Sequence, residues 1–424
     1  MQPTPRTTRL AEVPSPHRTT SIRFHKLAAL AALPLSLVGC RHPGFPETPA
    51  GYREYAYVSN GGTNTVSVLD LVYLRSDRTL QVGSQPSALL ANPVRNEIYV
   101  VNTQSGSISV IDALANNVVA TIPVHRMPVS IDVDPTGHRA FVSNSGSNSI
   151  SVLDLDQRRE IAEVPAEQPG KAHLSPDSRS LVVPSQASGS VSIFAVGAIP
   201  QPGVLSSKEV PLSRRAHFTG CPGADSTVIL PDSSKAFVAC SSAHQVMALN
   251  LAAANASWSA RQDPSLTTDR LLTMVEVGST PIHLALKPDG GEVFVSNMNS
   301  DSISEIATQT NDVGGTYMIG TKPVSGIVSE DNSRLFVSNS GDDSIGLYSI
   351  DDGKLVSSLH TGSGPSSLAF SADEHLLLAV DAHSGDVSVI RTLSKLGPNL
   401  FTILPAGSGP NAIVTKVVSR QPRV

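Results

Sequence analysis

Residues 140–155 read AFVSNSGSNSISVLDL. The stretch starts with an apolar run, turns through Asn-Ser-Gly-Ser-Asn, then alternates Ser with Ile, Val and Leu. Period-2 alternation with β-branched residues is a strand signal. Asn and Gly between two such runs tolerate the positive φ that a tight hairpin demands. The chain repeats this hairpin. Residues 55–71 read YAYVSNGGTNTVSVLDL and residues 335–350 read LFVSNSGDDSIGLYSI.

Aligned on the hairpin's Asn, the repeat falls at Asn60, Asn102, Asn144, Pro184, Cys240, Asn297, Asn339 and Asp381, in steps of 42, 42, 40, 56, 57, 42 and 42. A period near 42 lies in the range of four-stranded propeller blades. A second signature, Gly-x-x-Pro, opens the strand before the hairpin at 83–86, 278–281, 320–323, 362–365 and 407–410. Each unit therefore reads as four strands, and no segment beyond the N-terminal apolar run has a helical period. A lone four-stranded sheet cannot bury both faces, so the sheets are expected to lean together around an axis. The first hairpin lacks a strand of the Gly-x-x-Pro type before it. The chain ends with one, AGSGPNAIVTKVV at 406–418, that lacks a hairpin. The last strand is thus expected to complete the first blade. The expectation is an all-β, single closed β-propeller of eight blades over residues 52–418, with seven as the alternative. The two long steps predict inserted loops at about 197–224 and 252–273, and 419–424 is read as a tail.

The 424 residues carry a net charge of −5. Residues 1–39 hold Arg6, Arg9, Arg18, Arg23 and Lys26 against Glu12, a local +4, so the remainder carries −9. An acidic body argues against charge-driven binding to nucleic acid, and 4% aromatic content offers few stacking platforms. LAALAALPLSLVGC (27–40) is an apolar run too short to span a bilayer and sits where a signal-peptide core belongs. Its end, LVGC, resembles the lipobox of bacterial lipoproteins. That resemblance implies a signal peptide over 1–39, lipid on Cys40, a lipidated linker over 40–51 and a membrane-anchored envelope protein. Arg41 follows the cysteine, so the outer membrane is expected where there are two. Cys221 and Cys240 remain. In an exported chain this pair favours a disulfide, with two free buried thiols as the alternative. No C-x-x-C-H haem motif or zinc-type Cys/His spacing occurs.

The repeats YVSN…VSVLDL, IYVVNTQSGSISVID and GSQPSALLANPVRNEIYVVN resemble the YVTN-type β-propeller repeat family of exported and surface proteins, over about 52–418. Residues 181–194 and 236–249 depart most from the pattern. The resemblance implies a propeller, export and often a binding role. It implies no single catalytic site, because relatives on this architecture include binders, lactonases, haem-d1 domains and quinone-enzyme subunits.

Two residues past the inner-strand Pro, with Ser226 placed by counting back from Pro231 because its unit lacks that Pro, one level of the channel is expected to hold Ala88, Ser130, Lys171, Ser226, His283, Ser325, Ser367 and Ala412. This ring fits a small anionic or polar ligand, with Lys171 as anchor and His283 as donor. It equally fits a water-filled channel lined by small residues. His125, Arg126 and Lys322 can form a basic rim, or be plain solvated loop residues. His173, His217, His244, His360 and His383 are scattered and show no ligand spacing. The turns SGDDS (340–344) and NSDS (299–302) lack the ligand count of a calcium loop. No nucleophile elbow, phosphate loop or paired carboxylate with an assignable role appears. The expectation is a monomeric, non-catalytic scaffold without metal or cofactor, binding an envelope protein, glycan or other polymer. The alternative is a lactonase-like or electron-transfer accessory enzyme with a polar site at the channel mouth.

Overall fold

The computed structural model describes residue 49 and residues 51–197, 211–252, 268–394 and 397–418. The signal-peptide and lipidation readings, Cys40 included, and the 419–424 tail lie outside the described residues. Thirty-two strands, β1 to β32, form eight four-stranded antiparallel sheets. The inner strand of each blade is β4 (Pro86–Ala91), β8 (Pro128–Val133), β12 (His173–Leu174), β16 (Ala224–Ile229), β20 (Pro281–Leu286), β24 (Pro323–Val328), β28 (Pro365–Phe370) and β32 (Pro410–Val418). Neighbouring inner strands pack side by side around the axis. β32 pairs antiparallel with β1 (Arg53–Asn60), Tyr55 opposite Lys416, and so completes blade one. It also holds both neighbours. Thr415 Oγ1 donates to Phe370 O (2.8 Å) in blade eight, and Asn411 Nδ2 donates to Pro86 O (2.9 Å) in blade two.

The alternation of Ser with Val or Ile does not separate solvent from core, as it would in a one-sided sheet. β2 (Thr65–Asp70) is buried along its whole length, and β6 (Ser107–Asp112) along all but its last residue. Each blade is covered on both faces. The large face packs between blades: Tyr57, Val66 and Val68 of blade one meet Leu89, Ile98 and Val100 of blade two. Each such aliphatic contributes about 1.5–3 kcal/mol on burial. The serine face receives the repeat's Asn. Asn102 Nδ2 donates to Ser109 Oγ (2.9 Å), and Asn60, Asn144 and Asn297 repeat the bond to Ser67, Ser151 and Ser304. The Gly of Gly-x-x-Pro lies over that amide. A Cβ on Gly83 would stand 2.6 Å from the Asn102 carboxamide carbon, and on Gly278 the same distance from that of Asn297. The two sequence signatures are therefore one packing unit.

The expected insertions are smaller than the sequence suggested. β15 (Leu212–Thr219) is the outer strand of blade four, and β19 (Arg270–Glu276) that of blade five. Residues 198–210 and 253–267 lie outside the described residues. Cys221 and Cys240 are joined by a disulfide, Cα to Cα 4.8 Å.

Candidate functional site

Most inner strands carry a register shift just after the first residue, as between Pro128 and Ser130 or Pro281 and His283. Such a bulge re-aims side chains locally. In blade four it is exaggerated. Gly170 N donates to Pro184 O (2.7 Å) and Ala172 N turns back to Gly170 O (2.9 Å), so regular pairing starts only at His173. The kink leaves the Lys171 side chain 64% exposed, where it pairs with Asp225 of blade five (Nζ to Oδ2, 3.2 Å).

The expected ring is only partly a ligand-facing surface. Ser130 is buried and donates to Gly170 O (3.3 Å). Ser226 is buried and accepts from Leu284 N (3.1 Å). His283 Nδ1 accepts from Gly326 N (3.2 Å). These bonds stitch blade three to four, five to six and six to seven. Ser325 and Ser367 are half-buried, with Ala88 and Ala412 at the same level. Lys171 and His283 are that level's two ionisable side chains, and Asp225 joins them. Burial, then the Lys171 charge, push the His283 imidazole down to about 4 against the opposing pull of Asp225. It is neutral at physiological pH.

Two residues further along the strands lies a pair that the sequence analysis missed. Asp132 Oδ2 accepts from His173 Nδ1 (3.1 Å) and from Leu174 N (2.7 Å). Nδ1 is thus the donor, and Nε2 is left as the basic atom. The His173 side chain is 47% exposed. Burial opposes its charge, but the hydrogen bond and charge of Asp132 outweigh this and raise its pKa above the usual 6.5. A signal was present in the sequence. Four residues past the Pro, other inner strands carry apolar Leu90, Ala285, Ile327, Ala369 and Val414, while blades three and four carry Asp132 and His173.

Asp132, Lys171, His173, Asp225 and His283 thus fall on one arc, blades three to six, in two layers; Lys416 of β32, also charged, lies near the far end of its strand in blade one and donates to Asn92 O. The remaining arc presents neutral Ser87, Ser366 and Asn411. The basic rim does not assemble. His125 is held by Glu160 (3.2 Å) and Glu163 (3.5 Å), and Arg126 donates to Gly146 O (2.9 Å). These two sit at the junction of blades two and three, while Lys322 sits at that of six and seven, half a ring away. Among the described residues, no three His, Cys, Asp or Glu side chains converge as metal ligands. A cavity of 380 Å³ lies between the far-rim turns of blades seven and eight, over Phe336 and Phe370. Its Glu374 and Asp331 are occupied by Glu330 N and by Ser329 and Ser333, so it offers no base of the His173 kind.

A family model described as lactonase, 7-bladed beta-propeller, matches residues 37–211 and 318–398, more than half of the chain. The chain belongs to this lactonase family. The membership overturns the expectation of a non-catalytic scaffold and favours the enzyme alternative. This lactonase-family ring has eight sheets, not seven, and blades five and six lie between the matched segments. No curated protein matches the chain. Among solved structures, the dihydro-heme d1 dehydrogenase NirN in complex with DHE is similar at TM-score 0.65 and 13% identity, over 90% of this chain and 78% of that one. A putative 6-phosphogluconolactonase from Bacteroides fragilis NCTC 9343 is similar at 0.56 and 15%, over 88% and 100%. A functionally unknown protein from Desulfotomaculum acetoxidans DSM 771 gives 0.56 and 14%, over 85% and 98%. At such identities the likeness is one of fold.

Proposed function

We propose that the chain is a lactone hydrolase whose site is the charged arc of the axial channel. The observation that carries this reading is the Asp132–His173 pair, which leaves Nε2 of an exposed imidazole free to act as a base. His173 Nε2 takes a proton from a water. The hydroxide attacks the lactone carbonyl carbon, and Lys171 balances the charge on the oxyanion. Collapse breaks the ring C–O bond, and His173 returns its proton to the departing ring oxygen. The product is an open hydroxy acid, with no oxidant, metal or second substrate required.

The test is hydrolysis of gluconic acid δ-lactone and δ-valerolactone by purified protein, followed by pH-stat above the spontaneous rate. His173→Gln is expected to lower kcat by about 10²–10⁴, the usual worth of a positioned base. Full activity in that variant, or none in the wild type, removes the reading. We further propose, in keeping with LVGC at 37–40, that lipid on Cys40 ties the protein to a membrane, the outer one where two exist. Cys40→Ala is expected to release the chain into the soluble fraction. The YVTN-like repeats support the further reading of an exported propeller, which we propose acts as a monomer.

A further inference from the structure

The channel holds two histidines whose hydrogen bonds set opposite tautomers. His173 gives its Nδ1 proton to Asp132, while His283 receives the Gly326 N–H at Nδ1 and so must carry its own proton on Nε2. The local sequence builds this second arrangement. Three residues past the Pro, the inner strands carry Leu89, Ile131, Ala172, Leu284, Leu368 and Ile413, but blade seven carries Gly326. A Cβ there would stand 3.4 Å from Ala285 Cβ and from a Leu335 methyl, at the near edge of ordinary contact. The Gly326 N–H meets the ring at 3.2 Å. His283 shares its level with the Lys171–Asp225 pair, and His173 lies one layer along and two blades round, on blade four.

We infer that His283 is the neutral donor that holds the carbonyl oxygen of the bound ligand through Nε2–H, beside the Lys171 ammonium. This rests on the lactone-hydrolase reading and adds a residue to it. One imidazole supplies the base and the other a fixed hydrogen bond to the developing oxyanion. A neutral imidazole in this role cannot surrender its function to pH, because protonation would require Nδ1 to give up the Gly326 bond. Lys171 and Asp225 are the charged groups that face it, and the ammonium opposes a second positive charge. Low basicity is consistent with this, since burial and Lys171 move the ring to about 4. His283 lies on blade six, between the two family-matched segments.

The test uses the full chain with ¹⁵N-labelled histidine and a hydrolysis-resistant probe, glucono-δ-lactam. Proton–nitrogen correlation spectra report the tautomer directly. The His283 ring is expected to stay neutral with its proton on Nε2 from pH 5 to 9, and this resonance is expected to move when the lactam is added. Lactam affinity is expected to fall about tenfold in His283→Ala and to be largely kept in His283→Gln, which retains an N–H donor. A proton on Nδ1, titration near 6.5, or no lactam binding by the wild type overturns the inference. So does equal lactam affinity in all three folded proteins. Failure of the hydrolase reading looks different: His173→Gln would keep its turnover while the lactam still moved His283.

Discussion

At the scale of single residues, the Gly-on-Asn contact explains where the repeat is strict and where it breaks. Cys221 takes the place of the Gly and Cys240 that of the Asn, so blade five replaces a packing contact with a covalent bond. Gly83→Ala would drive a methyl into Asn102. It is expected to destabilise the fold by about 1–3 kcal/mol, read as a lower unfolding midpoint. Ala at half-buried Gly397, where a Cβ meets nothing within 4 Å, is the comparison; its positive φ alone carries a smaller penalty. His173 is the residue where a pH profile is decisive. Its raised pKa means that the basic form is depleted below a pH above 6.5, so kcat/KM should rise with pH through that value. Asp132→Asn should shift this limb to lower pH and slow the reaction, because the imidazole loses its anchor. Lys171 and His283 were legible from their spacing after the Pro. Asp132 and His173 were missed, because their mark, a polar pair four residues past the Pro, shows only when two adjacent blades are compared at that deeper level.

At the scale of one strand pair, blade eight departs from the others. Its hairpin begins with Asp381 where five blades hold an Asn, bonded to two side-chain oxygens in four of them and to Ser344 Oγ and Ile319 O in blade seven, and Asp386 stands where Ser or Thr is usual. A Cβ on Gly362 would lie 2.6 Å from both Asp381 Oδ2 and Asp386 Oδ1, so the two carboxyls crowd one small space. Burial first, and then Asp386, raise Asp381 to about 7, against the hydrogen bond from Ser388. A carboxyl with a raised folded pKa binds its proton more tightly in the native state. Its stabilising effect is full below about pH 4 and falls away up to about pH 7. Asp381→Asn restores an amide donor that does not titrate. It should raise stability at pH 8 by about 1–3 kcal/mol and flatten the pH dependence of denaturant midpoints between 4 and 7. A midpoint that keeps its original slope would count against a raised Asp381 carboxyl as the source of that dependence. The four-strand reading of each unit was legible because turn chemistry and alternation agreed. The outer strands β15 and β19 were not, because their exposed faces, such as Leu212–Thr219 with its two arginines, lack the apolar rhythm of inner strands.

At the scale of the whole ring, closure was legible from bookkeeping alone, a surplus strand at one end and a missing one at the other. The structure shows how firmly it is made. β32 pairs with β1 and bonds to blades eight and two on either side. A chain stopped after residue 405 should lose its sharp thermal transition and become open to limited proteolysis; a wild-type transition would argue that the ring stands without its fastener. The same arrangement imposes an order in time. Ser59 waits for Asn411, 352 positions downstream. Until that segment leaves the ribosome, blade one is a three-stranded sheet with a bare edge, and the later blades have nothing to curve against. Long-range pairings of this kind fold slowly. The nascent chain therefore has no finished channel until β32 has been made and has emerged, and whatever chemistry the channel performs begins only then.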